Sequence, residues 1–159
     1  MKKVTFKKIV VFHSIFLLML VFLIVVRVTS TDRVNAQKLV RRVLRPFLSG
    51  NRTKVVVLFF KDGEIERRKE LPQGESVVRK MSSIVYSQVK RKAEPGEARA
   101  LGGDQVQVKL DNKKQRCIVA FPRGEDGYRI VKLSGPRLPN SPAFALTRKG
   151  QREIAQLFD

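Results

Sequence analysis

The side chains that could carry chemistry are few, and their spacing is unhelpful to catalysis. The chain holds one His and one Cys. A two-His metal site within one chain is thereby excluded, as are a disulfide framework and any multi-Cys zinc or iron–sulfur site. His13 sits inside an apolar run, so a Ser–His–Asp or Cys–His arrangement cannot form in the polar remainder of the sequence. Cys117 lies in the apolar stretch CIVAF and reads as a buried, inert thiol. Glu125 and Asp126 are adjacent carboxylates in a Gly-flanked turn, where solvent is their natural partner. Glycoside hydrolysis needs two carboxylates set across a sugar, and no such pair is visible. Asn51-Arg52-Thr53 matches the N-glycosylation acceptor pattern, which has meaning only in a eukaryotic secretory compartment. No cofactor, metal ligand or catalytic residue is expected, and the chain reads as non-enzymatic.

Charge is the stronger signal. The chain has 159 residues, with 33 Lys+Arg against 14 Asp+Glu, for a net charge of +19. Four basic residues, Lys38, Arg41, Arg42 and Arg45, fall within two helical turns and are the candidate site for an anionic surface. They belong to DRVNAQKLVRRVLRPFL, residues 32–48, in which Leu39, Val40, Val43 and Leu44 recur at helical spacing. Asp32 is suited to cap the start of this helix, and Pro46 predicts its end near Arg45. Two readings stand. The apolar face packs on a folded domain as a connector, or the helix lies on anionic headgroups.

The elements that hold these residues begin with a membrane-length segment. Residues 9–26, IVVFHSIFLLMLVFLIVV, are 18 residues without a charge. As a helix they span roughly 27 Å, close to the hydrocarbon thickness of a bilayer. A secretory signal has a shorter apolar region of roughly 7–15 residues and a small-residue cleavage site directly after it. Val28-Thr29-Ser30 and Val34-Asn35-Ala36 are passable cleavage sequences, but an uncleaved signal anchor fits the length better. Bases flank both ends: Lys2, Lys3, Lys7 and Lys8 before, Arg27, Arg33, Lys38, Arg41, Arg42 and Arg45 after. Positive charges alone therefore do not orient the span. A short amino terminus ahead of a membrane helix ordinarily stays in the cytoplasm. Residues 31–159 are then expected outside it, on a single-pass protein of the inner membrane. Their 28 bases and 14 acids leave that part at +14. Nucleic acid is not an expected partner: the location argues against it, and the aromatics do not interleave with a basic stripe.

The organisation expected is an anchor over residues 1–30, a basic juxtamembrane helix over 31–50, and a small α+β domain over 51–159. KVVVLFF, residues 54–60, reads as a central strand buried on both faces. Asp62-Gly63 supplies a tight hairpin turn into the polar strand 64–71. Residues 75–92 read as a helix with an apolar face of Val77, Val78, Met81, Ile84, Val85 and Val89. Three strands follow, over 105–110, 115–121 and 128–133. Residues 134–142 hold three Pro and form no regular element, and Thr147 caps a last helix. The order is helix, hairpin, helix, meander, helix, which predicts a mainly antiparallel sheet with helices on one face. Val57, Phe59, Ile84 and Val119 are expected to share its core.

Residues 54–71, KVVVLFFKDGEIERRKEL, resemble the opening of a GerMN domain, the module of spore-germination and sporulation proteins. The family has an apolar strand ending in an aromatic pair, an Asp/Gly turn, a charged second strand, a helix (here Val77 to Val89) and a hairpin (here Val106 to Phe121). The resemblance implies a non-enzymatic envelope module that aids protein assembly, with other envelope proteins as partners. The alternative is a membrane-anchored basic domain that binds an anionic polymer or lipid headgroups.

Overall fold

The computed structural model describes residues 2–48, 53–71, 74–94, 96–97, 103–136, 138 and 140–158. Asn51 and Arg52 of the glycosylation pattern lie outside the described residues. The chain divides into two compact units, Met1–Asp32 and Arg33–Asp159. Helix α1, Lys2–Leu48, contributes to both.

In the first unit the helix is long and apolar enough to cross a membrane. Its described apolar side chains are all exposed, Phe12, Phe16, Leu17, Leu18 and Phe22 among them. Asp32 starts no helix, because the residues on both sides of it are already helical. Ser30 and Thr31 turn their hydroxyls back onto the Arg27 carbonyl at 2.9 and 2.8 Å, which satisfies them without ending the helix.

The second unit is α+β. It contains β1 (Lys54–Lys61), β2 (Glu64–Leu71), α2 (Glu75–Gln88), β3 (Val89–Lys92), β4 (Gln105–Asn112), β5 (Gln115–Pro122), β6 (Ile130–Ser134), β7 (Ala143–Leu146) and α3 (Arg148–Phe158). The strands form one antiparallel sheet in the order β2-β1-β4-β5-β6-β7-β3. The β1–β2 hairpin turns on Asp62 and Gly63, with φ of 52° and 85°. Two consecutive left-handed residues give the turn twist that a two-residue hairpin requires. The charged strand β2 takes the sheet edge, where exposed Lys, Arg and Glu discourage further pairing.

Alternate residues of the strands face one core. Val55, Val57, Val106, Val108, Val119 and Phe121 are buried there together with Val78, Met81 and Val85 of α2 and Ile154 and Phe158 of α3. Ala36, Val40, Leu44 and Phe47 of α1 enter the same cluster. All three helices therefore cover one face of the sheet. Val57 and Val119 sit inside, whereas Phe59 and Ile84 lie at the margin, half-buried. On the opposite face of β1, Leu58 is also buried while Val56 and Phe60 are half-buried.

Three boundaries differ from the sequence reading. Helix α1 does not stop at Arg45 but carries Pro46 inside it and runs to Leu48. Proline removes one helical hydrogen bond, and burial of Leu44 and Phe47 holds the last turn in spite of that loss. Two side chains cap that turn: Asn112 Nδ2 donates to the Pro46 carbonyl at 3.2 Å and Thr53 Oγ1 to the Phe47 carbonyl at 3.3 Å. Helix α2 ends at Gln88 rather than continuing to Lys92, since Val89 is extended, with φ −65° and ψ 125°. Val89–Lys92 instead pairs with β7, a strand that the sequence did not announce. The last long strand begins at Ile130 and not at Tyr128.

The Thr147 cap is present: its Oγ1 accepts from the Gly150 N–H at 3.2 Å and donates to Gln88 Oε1 at 2.6 Å. A Cβ on Gly150 would lie 2.5 Å from Gln88 Cβ, so this glycine permits the close approach of α3 to α2.

Because residues 36–47 belong to the core, Phe47→Ala is expected to destabilise the domain by about 3–5 kcal/mol. Urea unfolding followed by circular dichroism reads this as a large fall in midpoint. An unchanged midpoint would make residues 33–48 a mere tether.

Candidate functional site

The basic stripe sits on α1 for a simple geometric reason. Ala36, Val40, Leu44 and Phe47 recur at spacings of four, four and three, so they share the face turned to the sheet. At 3.6 residues per turn, Lys38, Arg41, Arg42 and Arg45 fall in an arc of about 100° centred opposite that face, within roughly 10 Å along the axis. All four side chains are exposed. Among the described residues none of the four forms an ion pair. The structure brings one further residue to them. The Arg41 guanidinium lies 5.9 Å from the centroid of the Tyr86 ring on α2, and Tyr86 is 41% exposed. Sequence reasoning missed Tyr86, because nothing in the chain order says that α2 lies beside α1. Arg33, on the same helix, reaches the Ser87 carbonyl at 3.3 Å and braces that contact.

The arrangement can do one thing chemically. Four cations with no local acid to neutralise them present donors to an anion and lose little by exchanging water for it. One end of the stripe is packed, so the charges are held in register by the core beneath them.

The remaining singled-out residues are placed elsewhere. Cys117 is buried on β5, and burial pushes its thiol up to about 11. Glu125 and Asp126 are exposed in the turn closed by the Gly124–Gly127 bridge, where Asp126 pairs with Arg129. Asp111 pairs with Arg116 at 2.9 Å on adjacent strands. The Arg68 hydrogen bond holds the Glu70 carboxyl below its usual range, with Lys54 adding to it. The Arg91 guanidinium does the same for Glu97, which also accepts from the Glu94 N–H at 2.9 Å. These pairs are exposed and hold side chains in place. Among the described residues no group of three or more His, Cys, Asp or Glu is placed to hold a metal ion.

At the other end of the sheet a cleft of about 540 Å³ opens between the β1–β2 hairpin and the end of α3. Arg67 stacks over the Phe59 ring at 3.8 Å from its centroid there. The sequence placed no site at this position.

In comparison with known proteins, no family model, no curated protein and no solved structure matches this chain.

The Cys117 thiol makes a testable statement about pH. Its pKa is raised in the folded state, so the fold binds the proton more tightly than the unfolded chain. That stability is intact below the ordinary thiol pKa and is lost as pH rises from about 9 to about 11. The loss attributable to this group is about 3 kcal/mol. Cys117→Val is expected to flatten that part of the alkaline stability curve, measured by urea titration of both proteins across the window. Parallel curves would show that the thiol is not held protonated by burial.

Proposed function

We propose that this chain is a single-pass protein of the inner membrane that holds a small, non-enzymatic interaction domain outside the cytoplasm. The observation that carries the reading is the helical stretch from Val11 to Val28, whose described side chains are all exposed. Water does not tolerate a continuous apolar surface of that size on a folded protein, and lipid does. A short, Lys-rich amino terminus supports keeping that end in the cytoplasm. The domain then works by contact with other envelope proteins, as the likeness of residues 54–71 to the GerMN opening suggests. No nucleic acid is among its partners. A non-catalytic role agrees with the placing of the one His in the apolar segment and of the one thiol in the core.

A second reading is favoured by the exposed stripe on α1. Lys38, Arg41, Arg42 and Arg45 then serve anionic lipid headgroups, while the opposite face of the helix packs on the sheet. The two readings of residues 32–48 are compatible, because packing and charge occupy different faces.

Two measurements test these statements. The full-length chain should resist alkaline carbonate extraction, and a reporter fused after Asp159 should be active only outside the cytoplasm. Recovery in the soluble fraction with a new amino terminus would defeat the anchor, and cytoplasmic reporter activity would reverse the orientation. For the stripe, residues 31–159 should bind anionic vesicles at low salt and release them at high salt. Changing Arg41, Arg42 and Arg45 together to Gln should weaken binding by up to about a hundredfold. Equal binding by wild type and variant would remove the stripe from the site.

A further inference from the structure

Charge in the second unit is divided between its two layers. The three helices that cover the sheet, over residues 33–48, 75–88 and 148–158, hold 10 Lys+Arg and 2 Asp+Glu. The rest of residues 33–159 holds 18 and 11. The helices thus carry +8 on 41 residues, and everything else carries +7 on 86. Ion pairs hold Glu70, Asp111 and Asp126 on strands and turns and Glu97 in the segment between β3 and β4, and on α3 Lys149 pairs with Glu153 at 3.8 Å.

All three helices bury their apolar faces in one core against one face of the sheet. Their opposite faces therefore point the same way. On α2 that outward face carries Lys80, Ser83 and Tyr86, and on α3 it carries Lys149 and Arg152, all exposed. Between α2 and α3 runs an open groove of about 620 Å³ with Lys80, Ser83 and Ser87 on the α2 wall and Lys149, paired with Glu153, on the α3 wall. Neighbouring helices lie about 8–10 Å apart. The bases are thus spread over a broad face and not strung along one helix.

We infer that the whole outer face of the helical layer, and not the α1 stripe alone, is a docking surface for the anionic headgroups of a lipid bilayer. The inference rests on the anchor reading. Three features select lipid over a soluble acidic protein. The surface is wide and carries bases on three separate elements. Tyr86 stands among them half-exposed, the amphipathic ring type that settles at the headgroup level. The apolar segment in the same chain keeps a bilayer at high local concentration, so weak individual contacts suffice.

The test uses the full chain in lipid nanodiscs. A bimane fluorophore on Ser83→Cys reports on the helical face, and one on Lys109→Cys reports on the exposed sheet face; buried Cys117 stays unlabelled in wild type. Discs carry a nitroxide on a headgroup and contain phosphatidylcholine with or without phosphatidylglycerol. Quenching at position 83 should rise with phosphatidylglycerol and should fall back at about 1 M salt, where the Debye length is about 3 Å. Quenching at position 109 should stay low throughout. Lys80→Gln and Arg152→Gln, both off α1, should each lower the docked-to-undocked ratio at position 83 by up to about fivefold. Equal quenching at both positions overturns the inference. So does quenching at 83 that ignores Lys80→Gln and Arg152→Gln but responds to Arg41→Gln, which confines the surface to α1. Binding of poly-glutamate in phosphatidylcholine discs, with no response to phosphatidylglycerol, assigns the face to an acidic protein and overturns it as well. Failure of the chain to float with neutral discs defeats the anchor reading itself, and that outcome is read separately from the quenching.

Discussion

The second unit depends on covering one apolar face of a seven-stranded sheet. Strands β1, β4, β5, β6 and β7 turn apolar residues to that side, and an antiparallel sheet can leave its other face to water. Each buried Val, Leu or Phe contributes about 1.5–3 kcal/mol relative to exposure. Helices α2 and α3 supply part of the cover. Ala36, Val40, Leu44 and Phe47 of α1 supply another part. The helix that follows the apolar segment is therefore a structural wall of the domain, and its C-terminal carbonyls are held by Asn112 and Thr53 from the sheet side.

That packing has an electrostatic consequence. A helix that spends one face on the core has the other left for charge, and here that other face is almost free of acids. Most carboxylates sit on strands and turns, and Glu70 and Glu97 each pair with an Arg that favours the ionised form. The lowered carboxyl pKa values at Glu70 and Glu97 follow from their hydrogen bonds to Arg68 and Arg91. Concentrating net charge on the helices costs some self-repulsion, which exposure to water keeps small. The result is a domain whose helical layer carries more net positive charge per residue than the remainder, which is itself basic.

The thiol and the histidine illustrate how environment removes chemistry from reactive residue types. Cys117 pairs with Leu110 of β4 and is buried, and desolvation raises its pKa. His13 stands in a helical run of apolar residues in the first unit. The surface with a distinct physical character is the basic outer face of the helices.

The sequence by itself determined the elements whose signal is local. The Asp62-Gly63 turn, the edge position of β2, the meander of β4, β5 and β6, the Thr147 cap and the basic stripe on residues 38–45 could all be read from residue type and spacing. So could the apolar length of residues 9–26. Tertiary structure alone decided the rest. Val89–Lys92 and Ala143–Leu146 are four-residue strands with no sufficient local preference, and each becomes a strand only because the other is there to pair with it. Helix α1 passes through Pro46 because Phe47 has a core to enter, which no local rule contains. Tyr86 joins Arg41, and Lys80 comes to face Lys149 across a groove, because packing against one sheet face sets three helices side by side. Spacing fixes which face of a helix is charged; only long-range burial fixes which way that face points.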